Sequence, residues 1–407
     1  MADPAAAVRR EALVVSFAET AAFAETYGFV GSQGRVFLEG HRLTPEGGAP
    51  SRTALIFLHP ASTLGLMPLP QALAAAGHHV ICAASRYAKN DTALIMEKAA
   101  ADLGAWVRHA RAELGYDRVV LAGWSGGGSL AAFYQAQAEA PNLTHPPAGD
   151  PYDLTALGLV PADAVMLIAA HTGRARILSE WIDPSVLDEN DPDRRDPALD
   201  LYDPAGPKPP YTPDFLAAFR AAQAARIARI TARVEETLAR LRARGGAEVE
   251  RAILVHRTMA DPRWLDPTLE PNGRRPGWCY LGNPETVNAG PVGLGRFSTL
   301  RAWLSQWSPA HSRADAAAAV AAVRAPLLVV ENGADDAVPP SHPHAVLAAA
   351  RMPDRTFYRI EGAGHYYQGQ PAELAAAVAV VTDWLAARGL APADASPESL
   401  TSKKFAD

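Results

Sequence analysis

Short apolar runs alternate with helical patterns over the first third of the chain. The apolar runs have the length and the aliphatic, β-branched composition of buried strands, and amphipathic or alanine-rich segments separate them. The runs predict strands at 34–43, 53–58, 79–84, 118–122 and 164–170, with helices at 69–76, 91–114 and 129–134. Alternation of this kind indicates a mostly parallel sheet that is covered by helices on both faces.

The alternation stops after residue 172 and returns with an apolar run at 326–330, which a further strand at 356–360 and a final helix at 371–388 follow. Between these regions, prolines and aspartates at 183–213 predict an irregular surface segment. The chain therefore divides into an N-terminal part of the core at 1–172, a cap or lid insert at 173–310, a C-terminal part of the core at 311–390 and a polar tail at 391–407.

One long amphipathic helix is predicted within the insert. Thr212 suits its N-cap and Pro213 its first position, and glycines at 245 and 246 can end it. Seven arginines lie between Arg220 and Arg244, and we expect them on a solvated face, with an anion-binding face as the alternative. A helix of this length could also pack against a second subunit, so a homodimer is possible.

The segment Gly123-Trp124-Ser125-Gly126-Gly127 has the pattern G-x-S-x-G between a predicted strand and a predicted helix. A sharp strand-to-helix turn would lift the Ser125 hydroxyl out of the backbone and present it to a substrate. Gly123 and Gly127 lack a Cβ, so strand and helix can approach closely. The N–H of Gly126 could stabilise an oxyanion. The alternative is a glycine-rich turn that contains a serine by coincidence.

Residues suited to activating a serine follow two later strands. Asp335 and Asp336 come after the run at 326–330, and His365 lies in a glycine-rich loop after the strand at 356–360. Because the carboxyl ends of parallel strands meet at one edge of a sheet, we expect these side chains near Ser125. A histidine can take the proton of the serine, and a carboxylate can fix the tautomer of that histidine.

The order Ser, Asp, His resembles that of the α/β-hydrolase superfamily. The elbow at 123–127 is similar to its nucleophile elbow, and the sequence ending at His365 is similar to its histidine loop. Its acid turn often reads Gly-x-x-Asp-x-x-Val-Pro. Counting back from Val338-Pro339 selects Asp335, although Asn332 then replaces the glycine, whereas counting forward from Gly333 selects Asp336.

The resemblance covers about residues 30–172 and 320–390. It implies an α/β-hydrolase fold: a mostly parallel central sheet with helices on both faces, and a large, mainly helical or irregular cap after the sixth strand. It also implies a catalytic triad of Ser125, Asp335 and His365, with Asp336 as the alternative acid.

The resemblance further implies an oxyanion hole beside the serine. Family members often have His-Gly after the third strand, whereas this chain has His59-Pro60-Ala61-Ser62. Because proline has no N–H, Ala61 is the expected second donor beside Gly126, with Ser62 as the alternative. We expect a structural role for His59, since His365 already supplies the base.

Several other residues at the predicted site could contact a substrate, and each could instead be a packing or surface residue. Trp303 and Trp307 would share a face if 297–307 is helical, where they either pack in a core or line an apolar pocket. The complete set of candidates is Trp124, Arg86, Tyr87, His171, Trp303, Trp307 and Tyr366.

Composition narrows the class of protein. The chain has 407 residues, of which 48% are hydrophobic and 20% charged, as is usual for a globular protein. A net charge of −6 argues against a nucleic-acid partner, and no apolar run is long enough to predict a membrane span or the core of a signal peptide. Two cysteines make no disulfide framework, so we expect a cytoplasmic location.

The sequence thus predicts a serine hydrolase that cleaves a carboxylic ester with a bulky apolar group through an acyl-enzyme. The expected partner is this small-molecule ester, and we expect neither a metal nor an organic cofactor. A C–C bond hydrolase, an amidase or an acyltransferase with the same triad is the first alternative. A non-catalytic ligand-binding protein on a hydrolase scaffold is the second.

Overall fold

The computed structural model describes residues 7–19, 34–291 and 293–392. Its main sheet consists of eight strands: β1 Val8–Ala18, β2 Arg35–Pro45, β3 Thr53–His59, β4 His79–Ala84, β5 Arg118–Trp124, β6 Ala164–Ile168, β11 Leu327–Asn332 and β12 Arg355–Ile360. Their order across the sheet is β1-β2-β4-β3-β5-β6-β11-β12.

Strand β2 runs antiparallel to both of its neighbours, and the pairs from β4 to β12 are all parallel. The carboxyl ends of these parallel strands therefore share one edge of the sheet. Every residue of β3 and β6 is buried, which explains why their sequences are continuous apolar runs rather than alternating ones.

Helices cover both faces of this sheet. The core helices are α1 Pro68–Ala75, α2 Met96–Ala112, α3 Gly126–Glu139, α9 Ala316–Val320, α10 Ser341–Ala349 and α11 Pro371–Ala386, with a 3₁₀ turn at Leu154–Leu157. On one face, Leu73 of α1 packs in a cluster with Trp384 and Leu385 of α11. On the other face, Trp106 of α2 and Tyr134 of α3 belong to the larger apolar core.

The chain between β6 and α9 forms the insert. Its elements are α4 Arg174–Trp181, β7 Val186–Asp188, β8 Asp191–Arg195, α5 Pro213–Arg244, β9 Ala252–Leu254, α6 Pro262–Leu265, α7 Pro284–Ala289, β10 Phe297–Thr299, α8 Leu300–Ala302 and a π-helix at Trp303–Trp307. The apolar face of α5 packs on the tryptophans of the π-helix, so the insert has a core of its own.

The long helix agrees with its prediction. Helix α5 begins at Pro213, and Thr212 caps it by accepting a hydrogen bond from the N–H of Phe215 at 3.2 Å. Not every arginine on this helix lies on the solvated face that the sequence predicts. Arg226 is buried and paired with Glu189 at 2.6 Å, so it does not lie on a solvated face.

Other predictions need correction. Strand β1 was not expected, and the helix predicted at 91–114 begins only at Met96. The segment 183–213 is not wholly irregular, because β7 and β8 form a hairpin there. Likewise 297–299 is a strand paired with β9 rather than the start of a helix. Most of the predicted tail, from 393 onward, lies outside the described residues.

Among the helices of the described residues, none has an apolar stretch long enough to cross a membrane.

Candidate active site

Ser125 occupies a strained turn between β5 and α3. Its φ of 53° and ψ of −121° lie where side chains rarely occur, and the close packing around it holds that conformation. A Cβ on Gly127 would lie 1.8 Å from the carbonyl oxygen of Leu58, and a Cβ on Gly123 would lie 2.5 Å from that of Gly127. Only glycine fits at these positions, so strand and helix meet as the motif predicts.

His365 lies between Ser125 and Asp335. Its Nδ1 is 2.9 Å from Oδ2 of Asp335, and its Nε2 is 3.1 Å from Oγ of Ser125. An ionised carboxylate only accepts hydrogen bonds, so Nδ1 carries the proton and Nε2 is left to accept from the serine hydroxyl. This arrangement allows the histidine to act as a general base towards Ser125.

Asp335, rather than Asp336, contacts His365. Its other oxygen, Oδ1, accepts hydrogen bonds from the N–H groups of Ala337 and Val338, both at 2.8 Å. These bonds aim the second oxygen at the imidazole. Burial, followed by the neighbouring charge of Asp335, raises the pKa of Asp336 to about 6. The two adjacent aspartates thus have different environments.

Asn332 has a structural role at the position where this acid turn departs from the family pattern. It stands where the family pattern has glycine, and its Nδ2 donates to the carbonyl oxygen of Gly364 at 2.9 Å. Its Oδ1 accepts from the hydroxyl of Tyr367 at 2.7 Å. The side chain therefore ties the end of β11 to the loop that carries His365.

The protein has an α/β-hydrolase fold. The strand order, the antiparallel second strand and the strand–turn–helix unit around Ser125 together identify it. No protein-family model matches the chain, and no curated protein matches it either.

Solved structures give weak similarities. A monoacylglycerol lipase from Paleococcus ferrophilus is 15% identical over 86% of this chain and 98% of its own, with a TM-score of 0.43. A hypothetical protein from Pseudomonas aeruginosa is 12% identical over 94% and 95%, with a TM-score of 0.49. Est1E from Butyrivibrio proteoclasticus is 12% identical over 90% and 98%, with a TM-score of 0.44. The fold assignment rests on the strand order and the turn at Ser125.

The predicted oxyanion donors differ in their environments. Gly126 opens α3 directly after Ser125, as expected. The N–H of Ala61, however, donates a hydrogen bond to Nδ1 of His59 at 3.1 Å. Because this N–H already has an acceptor, its hydrogen bond does not support the prediction that Ala61 is the second oxyanion donor.

Three of the candidate substrate contacts lie against the triad or the elbow. The ring of Trp124 is 4.6 Å from that of His365, and the ring of Tyr366 is 4.9 Å from it. His171 lies beside the elbow, where its Nε2 would be 3.4 Å from a Cβ on Gly126. Its pKa is lowered well below the usual value by burial, and then by His342 and Arg174.

Arg86 and Tyr87 both take part in internal packing. The guanidinium of Arg86 is buried, and it pairs with Glu19 at 2.8 Å and with Asp102 at 2.7 Å. Tyr87 is 2% exposed and belongs to the apolar core. Both side chains thus have internal partners, and their contact with a substrate stays a prediction.

Trp303 and Trp307 also lie inside the insert. Both are fully buried in its apolar core. Nε1 of Trp303 donates to Oγ1 of Thr231 at 3.0 Å, and Arg174 stacks over Trp307 at 4.5 Å. Of the two interpretations of this pair, the contacts support core packing.

The insert also brings residues to the site that sequence analysis missed. The ring of Tyr280 lies 6.0 Å from that of His365, and Nδ2 of Asn272 donates to the carbonyl oxygen of Asp335 at 2.9 Å. Arg174 is fully buried and pairs with Asp91 and Gln306. No periodicity marked these positions, because they lie in short elements joined by loops.

Buried charges connect the insert to the core near His171. The carboxylate of Glu180 lies 3.0 Å from Nε2 of His342 and 2.5 Å from Arg263. Although burial alone would raise the pKa of Glu180, these two partners hold it well below its usual range. Nδ1 of His342 in turn accepts from the N–H of Thr172 at 3.1 Å.

Proposed function

We propose that this protein is a serine hydrolase that cleaves carboxylic esters through an acyl-enzyme. The observation that carries the proposal is the chain of hydrogen bonds from Ser125 through His365 to Asp335, at 3.1 and 2.9 Å. A serine hydroxyl is a weak nucleophile until a base takes its proton, and this arrangement supplies the base and its orienting acid.

The reaction would begin when Oγ of Ser125 bonds to the carbonyl carbon and its proton passes to Nε2 of His365. The electron pair of the carbonyl moves onto oxygen, where the N–H of Gly126 can stabilise it. The tetrahedral intermediate then collapses, and His365 returns its proton to the departing alcohol. Water repeats these steps on the acyl-enzyme, releasing the acid and restoring the serine.

An apolar group on the substrate is supported by the rings around the triad. Trp124, Tyr280 and Tyr366 all lie within 6.0 Å of the ring of His365, centre to centre. Aromatic side chains commonly line pockets for apolar ligands. We propose that the insert at 173–310 acts as the cap, since Tyr280 belongs to it. A cytoplasmic location and a homodimer stay predictions.

Hydrolysis of nitrophenyl esters tests the proposal directly. We expect the wild-type protein to release nitrophenol from acyl chains of increasing length, while Ser125→Ala and His365→Ala lose the activity. Asp336→Asn is the matched control, since His365 is hydrogen-bonded to Asp335 and not to Asp336, and it should keep the activity. Absence of wild-type turnover on esters and amides alike would favour the ligand-binding scaffold.

Hydroxylamine separates hydrolysis from transfer. An acyltransferase would partition its acyl-enzyme towards an added nucleophile and exclude water, so the hydroxamate would dominate the products. A hydrolase should release mostly free acid. Amide and vinylogous diketone substrates, assayed in the same way, distinguish the amidase and the C–C bond hydrolase.

A further inference from the structure

The two residues that follow His59 in the loop after β3 offer no free backbone donor for the oxyanion hole. Pro60 has no N–H, and the N–H of Ala61 is already donated to Nδ1 of His59 at 3.1 Å. A single backbone donor from Gly126 would leave one side of the developing charge without a partner. His59, at the end of β3, is the side chain that this loop places nearest to the elbow.

The hydrogen bond from Ala61 fixes the tautomer of His59. A ring nitrogen that accepts a hydrogen bond carries no proton, so in the neutral ring the proton lies on Nε2. Burial, followed by the neighbouring Arg174 and His365, lowers the pKa of His59 to about 3. The ring is therefore uncharged at neutral pH, with an N–H donor at Nε2.

This donor lies beside the residue that supplies the first one. A Cβ placed on Gly126 would be 2.8 Å from Nε2 of His59. Because a Cβ is about 2.5 Å from its own backbone nitrogen, Nε2 lies at most about 5.3 Å from the nitrogen of Gly126. Two donors that each bond one oxygen at about 2.9 Å can be up to about 5.8 Å apart, so one oxygen can accept from both.

Nε2 is also available for such a bond. In the described part of the chain, the hydrogen bond from Ala61 is the only one that this ring makes, and it uses Nδ1. His59 is 8% exposed, so its ring is not open to bulk water.

We propose that Nε2–H of His59 is the second oxyanion donor and acts together with the N–H of Gly126. The inference rests on the proposed function, since it concerns the carbonyl oxygen that Ser125 attacks. The donor bonds this oxygen as it gains the electron pair, and His59 transfers no proton. It also gives a reason for glycine at 126, because a Cβ there would occupy the space beside Nε2.

Two substitutions at His59 test this role in the full-length protein. His59→Phe keeps a flat ring and removes the donor, whereas His59→Gln keeps an N–H at similar reach. With a nitrophenyl ester, we expect His59→Phe to lower kcat about 10²- to 10³-fold while KM changes less than about threefold. His59→Gln should recover at least about tenfold of that loss.

A thiono ester, in which sulfur replaces the carbonyl oxygen, distinguishes a hydrogen-bonding role of His59 from a packing role. Sulfur accepts hydrogen bonds weakly, so the wild-type enzyme should prefer the oxygen ester, and that preference should shrink in His59→Phe. A purely structural role would lower both rates equally. His78→Phe is the matched control: His78 is also buried, but its Nε2 contacts Thr382 instead of the elbow, and its kcat should stay at the wild-type level.

Gly126→Ala tests the same role of His59 without changing His59 itself. The added Cβ should push the imidazole away and lower kcat even if His59→Phe does not fold. The proposal is overturned if His59→Phe folds and keeps wild-type kcat, or if it does not fold and Gly126→Ala keeps wild-type kcat; Ser62 would then be the donor to test. A wild-type protein without esterase activity would instead contradict the proposed function itself.

Discussion

Replacing Asp336 with asparagine should stabilise the folded protein, and the gain should grow as the pH rises. Burial and the charge of Asp335 raise the pKa of Asp336 from 3.8 to about 6. Between these values the folded state binds more protons than the unfolded state, so stability falls as the pH rises through this window. Asparagine has the same shape and does not ionise, so it avoids this loss.

The size of the effect follows from the shift in pKa. A difference of about two units corresponds to about 3 kcal/mol at most, since one unit is about 1.4 kcal/mol. Below pH 4 the two proteins should be equally stable, and above pH 7 Asp336→Asn should be more stable by about 1–3 kcal/mol. The difference should rise mainly between pH 4 and 6.

Urea unfolding of both proteins at pH 4, 5, 6, 7 and 8 measures this difference, because other titrating groups cancel in the comparison. Nitrophenyl ester hydrolysis of the same variant serves as the control for an intact site. The reasoning would be refuted by a gain that does not change with pH, or by an asparagine variant that is less stable at pH 8.

Three further predictions concern the site, the insert and the elbow. Asp335→Asn should lower kcat about 10⁴-fold without loss of stability at pH 7, because His365 would then lack the acceptor that fixes its tautomer, and unchanged turnover would contradict the assignment. Trp303→Ala should destabilise the protein by about 3–5 kcal/mol in urea unfolding, whereas Trp278→Ala, at a position 39% exposed, should change it by less than about 0.5 kcal/mol. Gly127→Ala should fail to give soluble folded protein, since the Cβ would overlap the carbonyl oxygen of Leu58, and a normal circular dichroism spectrum would argue against this packing.

The strands of the core were predictable because burial on both faces leaves a continuous apolar sequence. The runs at β3, β5 and β11 carry that signal, and each is bounded by turn-forming residues. The site followed from them, since His365 and Asp335 both come directly after a parallel strand. Strand β1 was missed because its buried and exposed residues alternate only in part, as expected for an edge strand.

The insert could not be predicted in the same way, because polar contacts stabilise much of it. Arg226 is buried between Glu189 and backbone carbonyl oxygens, an environment that a helical pattern of charges does not reveal. The ion pair of Arg86 is similarly hidden from the sequence, since its partner Glu19 is 67 positions away in the chain. The hydrogen bond from the N–H of Ala61 to His59 depends on the side-chain rotamer of His59, which composition and spacing do not determine.

Covalent labelling with a fluorophosphonate tests the central claim most directly, because such probes react only with an activated serine. We predict a single adduct on the wild-type protein, located at Ser125 by peptide mass spectrometry. Labelling should be absent in Ser125→Ala, strongly slowed in His365→Ala and unchanged in Asp336→Asn. A wild-type protein that stays unlabelled, or that is labelled at another serine, would contradict the account.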